Sequence, residues 1–213
     1  MHSFEFRRIE KGTSLYQDVL ALRYRVYIEQ RGFEKPEDHP QGIEQDVFDP
    51  HSVHFAAIHQ QSKEVVGTIR LVLHSSEKDF PIESAFEFDK TLPPVDRSYL
   101  GEVSRLALCK EYCQEFRGRL LGGSESVDIV NGLLQRLLVE CRTLRLTHLY
   151  AVMAKGLPML LRRKGIRFPQ IGPEKEYHGL RAPYFDSIEN ILRGNRELYA
   201  CYAGPEAVLD QVA

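Results

Sequence analysis

Glu102 and Arg105 interrupt an otherwise apolar run, Gly101 to Cys109, which reads Gly-Glu-Val-Ser-Arg-Leu-Ala-Leu-Cys. Val103, Leu106 and Leu108, with the small Ala107, are the residues of a buried strand. An ionised side chain on a strand that faces a core is costly unless it is paired or does chemistry. A carboxylate in such a place can take a proton, and a guanidinium beside it can orient a substrate or the carboxylate itself. The same two residues could form a structural ion pair, and this stretch alone leaves both readings open. Side chains three apart on a flat strand point to opposite faces. One shared cleft therefore requires a bulge or twist between them, and bulges favour active sites.

Other charges stand in comparable positions. Arg70 lies in a strand-like run between Ile69 and Leu71, so it faces solvent or a polar cleft. Arg23 follows Leu22 at the edge of a helical apolar stripe, and taken alone it reads as a solvated or snorkelling side chain. Glu44, Asp46 and Asp49 belong to the polar segment Glu34 to Pro50, which carries three of the eleven prolines and has no periodicity. It reads as a loop. Loops held by a scaffold often carry function, although acidic loops are commonly just solvated. Arg117, Gly118, Arg119, Gly122 and Gly123 precede a long helix. Basic residues and glycines there can offer backbone N–H groups to a phosphate, and a plain surface loop has the same composition.

The elements that must position these residues follow from hydrophobic spacing. Met1 to Glu10 alternates as a short strand. Ser14-Leu-Tyr-Gln17 has capping-box spacing, which starts a helix that runs to Glu29 on Leu15, Val19, Leu22, Val26 and Tyr27 and stops at Gly32. Val53–His59 and Val65–Leu73 form a hairpin around a polar turn. His74 to Ser98 is a long connection, of the kind that is a lid or is locally structured. After the charged strand, Val127 to Leu146 is the clearest helix, with a core stripe at Val130, Leu133, Leu134, Leu137, Leu138, Cys141 and Leu144. Leu149–Met153 is a strand, Leu157–Lys164 a short helix closed by Gly165, and Ile166–Ile171 another strand. Tyr177 to Tyr184 is an aromatic, polar segment without an evident structural reason, and Ile188 to Leu209 is partly helical. Strands outnumber helices and a hairpin is present. The fold class is therefore α/β in the α+β sense: one mixed, mostly antiparallel sheet with helices on both faces.

Bulk properties bound the function. The chain of 213 residues, 43% hydrophobic and 27% charged, suits one sizeable core. With 28 basic and 30 acidic side chains the net charge is −2, so neither nucleic acid nor a membrane surface is indicated as a partner. No secretory signal and no membrane-spanning run is seen. Cys109, Cys113, Cys141 and Cys201 lack C-x-x-C spacing and fit reduced thiols in a cytoplasm. No metal is expected; Cys109 and Cys113 with a histidine would be the only start of a zinc site.

The order of elements, with a charged strand before a phosphate-suited loop and helix, resembles the GNAT acyltransferase fold. Leu22-Arg23-Tyr-Arg-Val26-Tyr27 with Arg31-Gly32-Phe33, Asp46-Val-Phe-Asp49, Gly67-Thr-Ile-Arg70 and Glu102-Val-Ser-Arg105 together resemble the signature of acyl-homoserine-lactone (autoinducer) synthases. Thr147 to Met153, Leu160 to Phe168 and Tyr177 to Tyr184 are similar to a sister group, the PEP-CTERM/exosortase system-associated acyltransferases, which are related also to N-acyl amino acid synthases. The likeness spans roughly residues 14 to 192. Phe33 stands where autoinducer synthases usually have Trp, and the chain has no Trp at all, which weighs against the lactone reading. The loop Arg119-Leu-Leu-Gly122-Gly123 ends in Ser124 where GNAT enzymes have Gly or Ala, which weighs against strong coenzyme A pyrophosphate binding and fits a donor on acyl carrier protein.

The resemblance implies a single domain over residues 1–213, with an acceptor-side half (1–110) and an acyl-donor-side half (111–213). It implies an N-acyltransferase that moves a fatty acyl group from acyl carrier protein, or acyl-CoA, to a small amine such as an amino acid, with no tightly bound cofactor. Glu102, Arg105 and Arg70 would be catalytic, with Glu102 taking the amine proton. Arg23, Tyr27, Phe33, Asp46, Asp49, Ser104 and Tyr184 would bind substrate, and Arg117, Arg119, Gly122 and Gly123 would hold the pantetheine phosphate. Arg162-Arg163-Lys164 would help dock the acidic carrier. The rivals are a lactone synthase using S-adenosylmethionine and a non-catalytic acyl-carrier-binding protein.

Overall fold

The computed structural model describes residues 4–89, 91–113 and 124–204; Arg117, Arg119, Gly122 and Gly123 lie outside them. Seven strands form one sheet: β1 (Phe4–Ile9), β2 (Ser52–His59), β3 (Val65–Leu73), β4 (Leu100–Leu108), β5 (His148–Ala154), β6 (Lys175–Glu176) and β7 (Leu180–Ser187). Their order is β1-β2-β3-β4-β5-β7-β6. β4 and β5 pair in parallel, while β1–β2, β5–β7 and β6–β7 pair antiparallel, which is the mixed, mostly antiparallel sheet expected. The helices are α1 (Ser14–Tyr24), α2 (Pro81–Ala85), α3 (Lys110–Cys113), α4 (Ser124–Thr143), α5 (Gly156–Arg163), α6 (Ile188–Leu192) and α7 (Arg196–Ala203). No described helix is long and apolar enough to cross a membrane. The chain divides into two compact units, residues 1–70 with 105–137 and residues 71–104 with 138–213.

In the first unit, α1 buries Tyr16, Val19, Leu20 and Leu22. Its cap is Thr13, one residue before the capping box read from the sequence. Thr13 has extended backbone and its Oγ1 accepts from the Tyr16 N–H at 3.2 Å, so Ser14 is already helical. The helical path widens at Arg25–Gln30 into a π turn and ends at Gly32, φ +62°. There the Gly32 N–H donates to Ile28 O (3.0 Å) and the Phe33 N–H to Tyr27 O (2.9 Å), satisfying carbonyls that the helix end leaves open. π turns concentrate at functional sites, and this one sets Tyr27 and Phe33.

In the second unit, β5 buries Leu149, Tyr150, Ala151 and Met153. Residues 166–171 are not a strand, contrary to the alternation. Pro169 removes a ladder donor, and only the bridge Gln170↔Tyr184 remains. The strand is instead β7, and the aromatic, polar segment 177–184 is the β6–β7 turn and the start of β7, turned through His178 (φ +50°) and Gly179 (φ +92°). α5 is closed by Gly165, φ +76°, where a Cβ would lie 2.0 Å from the Gly194 carbonyl oxygen. Two backbone segments meet there without room for a side chain. Gly165→Ala should therefore lower stability by about 1–3 kcal/mol, from left-handed strain plus overpacking. A urea midpoint equal to that of the parent would contradict this.

Candidate functional site

Three arginines and three carboxylates interlock in the first unit. Arg23 comes from α1, Arg70 from β3 and Arg105 from β4, and the loop after the π turn brings Glu44, Asp46 and Asp49. Arg23 donates through Nε to Glu44 Oε2 (2.5 Å) and through Nη1 and Nη2 to Asp49 Oδ1 and Oδ2 (2.7 and 3.1 Å). Arg70 Nη1 reaches Asp46 Oδ1 (2.6 Å) and Asp49 Oδ1 (2.9 Å). Arg105 reaches Glu44 Oε1 (3.0 Å) and Asp46 Oδ2 (2.9 Å) through Nη2. Three positive charges face three negative ones. Arg23, Arg70, Glu44 and Asp49 are fully buried, so Arg23 is not the solvated side chain that its helix position suggested. Asp46 and Arg105 form the rim, 22% and 19% exposed.

The loop folds this way because its own backbone completes the carboxylates. The Asp46 N–H donates to Asp49 Oδ2 (2.7 Å) and the Phe48 N–H to Asp46 Oδ1 (2.9 Å), while the Glu44 N–H is tied to Leu20 O. Arg105 has φ +52° within β4. That left-handed residue departs from the extended backbone of the strand, and its bonds to Glu44 and Asp46 hold a conformation that costs an L-residue about 1–2 kcal/mol. Its guanidinium lies 5.7 Å from the Tyr27 ring centroid; Tyr27 stacks on Phe33 (6.0 Å) and donates its hydroxyl to Leu106 O (2.8 Å).

Burial opposes these charges and the partners overcome it. Burial would raise the Glu44 carboxyl, but the Arg23 and Arg105 guanidiniums hold it at about 2. Asp49 is likewise held well below the usual carboxylate range, mainly by Arg23 against the cost of burial. Burial works against the charge on Arg23, and Glu44 and Asp49 raise its proton affinity above the ordinary value nonetheless. Beneath Asp49 lies His54, fully buried, with neither ring nitrogen hydrogen-bonded and Nε2 3.5 Å from Asp49 Oδ1. Burial pushes its imidazole down to about 4, against the pull of Asp49.

His54 therefore makes stability pH-dependent. Its folded pKa lies below the unfolded value of about 6.5, so the unfolded chain binds more protons between those limits. The contribution is full above about pH 6.5 and is lost as pH falls toward 4, an expected change of about 3 kcal/mol. The Glu44 contribution is full above the unfolded carboxyl value and is lost only as pH falls toward 2, so it declines at lower pH. Urea midpoints between pH 7 and 4 check this, and His54→Phe should flatten the first decline; an unchanged slope would exclude His54 as its source.

In the second unit, Glu102 is buried and its Oε2 accepts from the Ile82 N–H of α2 at 2.9 Å. In the β4–β5 register it faces Tyr150. That parallel register runs from Leu100↔His148 to Val103↔Ala151, and β5 continues to Ala154. Tyr150 packs against Phe80, Phe88 and Phe185, and burial, with the nearby Glu83 charge, pushes its phenol up to about 12. Ser104 is half-buried on β4, and Tyr184 is buried on β7 opposite Ala151. Among the described residues no group of three or more His, Cys, Asp or Glu is placed to hold a metal ion.

Arg23, Asp46, Asp49, Arg70 and Arg105 thus come together as one cluster, with Tyr27 and Phe33 beside it. Glu102, Ser104 and Tyr184 belong to the other unit. Sequence reasoning left Glu44 as a loop residue and did not single out His54, Tyr150, Glu83 or Arg97. The one local signal was an aromatic side chain in the buried strand at 150.

Residues 22–121 match the acetyltransferase (GNAT) domain family. A comparison with curated proteins finds no match. Among solved structures, TofI in a ternary complex with an inhibitor and MTA is similar at 17% identity, TM-score 0.66, over 90% of this chain and 95% of that one. BjaI, a CoA-dependent acyl-homoserine lactone synthase with SAM and isopentyl-CoA, is similar at 18% identity, TM-score 0.65, over 95% and 90%. FeeM, an N-acyl amino acid synthase from uncultured soil microbes, is similar at 13% identity, TM-score 0.62, over 92% and 97%. The chain has the GNAT-like fold of these structures, and its residues 22–121 are similar to the acetyltransferase (GNAT) domain.

Proposed function

We propose that the protein is an N-acyltransferase that moves a fatty acyl group from a phosphopantetheine thioester, on acyl carrier protein, to the amine of a small acceptor such as an amino acid. The observation that carries this reading is Glu102: a carboxylate buried in an apolar strand, fixed by a backbone N–H, in a fold shared with acyltransferases. Glu102 takes a proton from the acceptor amine as its nitrogen attacks the thioester carbon. The C–S bond then breaks and the pantetheine thiolate leaves, to be protonated from solvent. The end of β5 beyond Ala151 would offer an N–H to the developing oxyanion. Ser104 and Tyr184 would contact substrate in that unit. In the first unit, the rim pair Asp46 and Arg105, with Tyr27 and Phe33, would bind a polar substrate group, and Arg23, Arg70 and Asp49 would hold them.

Acyl transfer to an amine is favoured over lactone formation because Phe33 replaces the Trp usual in lactone synthases. The second-half motifs point further, to the PEP-CTERM/exosortase-associated group. A carrier-bound donor is favoured by Ser124, which stands where GNAT enzymes have Gly or Ala. The exposed Arg162 and Arg163 of α5 offer an acidic carrier a basic contact. The deciding experiment is mass spectrometry of lipids from a bacterial host expressing the protein. New N-acyl amines that vanish with Glu102→Gln support the reading; a lactone, or no new amide, overturns it. With purified donors, Arg163→Glu and added salt should each raise KM for decanoyl-acyl carrier protein while leaving decanoyl-CoA little changed, since exposed charges are screened beyond about 10 Å at 0.1 M salt. Equal use of both donors with no salt effect would remove the carrier from the proposal.

A further inference from the structure

The connection before β4 contributes more than a link. α2 is only five residues long, yet its first turn meets Glu102. The Ile82 N–H donates to Glu102 Oε2 (2.9 Å), and the charge of the next residue, Glu83, acts on the phenol of Tyr150, the register partner of Glu102. Glu83 is itself locked. Its Oε2 accepts from the Phe80 N–H (2.9 Å), and Arg97 grips both oxygens, Nη1 on Oε1 at 3.0 Å and Nη2 on Oε2 at 2.7 Å. Arg97 also reaches Asp79 Oδ1 (3.2 Å) and lies 5.4 Å from the Phe80 ring centroid. The charged and titratable groups linked to this turn are Glu83 from α2, Tyr150 from β5, Arg97 from the turn before β4, and Asp79, whose side chain is 72% exposed.

Two carboxylates thus converge on one buried phenol. A like charge nearby disfavours ionisation. An uncompensated Glu83 would raise the proton affinity of Glu102 and leave it protonated when it should accept a proton. Arg97 cancels that charge in a bidentate pair of the strong kind. Phe80, Phe88 and Phe185 hold the Tyr150 ring, and Tyr150 stands opposite Glu102 in the register.

We propose that Arg97, Glu83 and Tyr150 are positioning residues that set the base strength of Glu102, with Arg97 as the counter-charge that keeps Glu102 ionised. This rests on reading Glu102 as the proton acceptor, and its test does not depend on turnover. The full chain, labelled with [13C]glutamate, is titrated by NMR, with the Glu102 carboxyl signal assigned by its loss in Glu102→Gln. In Arg97→Gln the Glu102 midpoint should rise by about one pH unit. It should return close to the parent value in Arg97→Gln/Glu83→Gln, and Arg97→Lys, which keeps the charge, should stay near the parent. The acid limb of kcat/KM for decanoyl thioester should move with the NMR midpoint. An unmoved midpoint in Arg97→Gln, or a shift that the double variant keeps, overturns the proposal. A parent protein without thioester turnover would sink the acyl-transfer reading alone, because the titration decides this one separately.

Discussion

Glu102→Gln should fold like the parent and transfer acyl groups about 10²–10⁴-fold more slowly. The amide keeps an oxygen where Oε2 accepts from the Ile82 N–H, so the buried donor stays satisfied. What is lost is the ability to take a proton. The loss should fall on kcat rather than KM, because proton acceptance belongs to the transition state. Glu102→Ala is the poorer experiment. It leaves the Ile82 N–H unpaired in a buried place, which costs about 1–3 kcal/mol on its own, and it mixes folding with chemistry. The measurement is a thermal melt beside single-turnover rates with an acyl thioester. A Gln variant with parental turnover would make Glu102 a structural brace for α2 and end the proposed mechanism.

Arg23→Met should destabilise the first unit by about 3–5 kcal/mol, the usual cost of removing one partner from a buried ion pair. Arg23 supplies three hydrogen bonds to Glu44 and Asp49, and both carboxylates are buried. Without it Glu44 retains Arg105 and Asp49 retains Arg70, so a buried site holding three negative charges keeps two positive ones. With whole-protein stabilities of roughly 5–15 kcal/mol, such a loss is a large share. The rim should behave differently. Arg105→Lys keeps a charge at a partly exposed place but loses the planar fork that spans Glu44 and Asp46. Its main effect is expected on substrate KM, with a smaller change in urea midpoint. A parental midpoint for Arg23→Met would show that the cluster does not hold the unit together.

The sheet was largely legible because β3, β4 and β5 are nearly continuous apolar runs, as strands covered on both faces are. β7 was not, since Leu180-Arg-Ala-Pro-Tyr-Phe mixes charge, proline and aromatics, and its strand character comes from pairing with β5. The charge on β4 announced Glu102 locally, because a carboxylate among Val, Leu and Ala has few inexpensive explanations. Arg23 could not be read that way. Its partners lie 21 and 26 residues downstream in a loop without periodicity, so only the folded chain reveals its burial. Glu83 and Arg97 are 14 apart in a proline-bearing connection, and nothing in their spacing marks them as neighbours of a third residue on β4.

The electrical closure of the Arg23, Arg70, Arg105, Glu44, Asp46, Asp49 cluster has a consequence for how such a chain can change over generations. Replacing any of the four buried members alone passes through a folded state with an unmatched interior charge, at a cost of several kcal/mol. Single-step routes away from the cluster are thereby closed, while the residues that would meet an acyl donor or an acceptor can drift one at a time. The four buried positions can therefore be exchanged only together, whereas the rim pair Asp46 and Arg105 can change singly. A lineage can alter the rim while keeping the buried four.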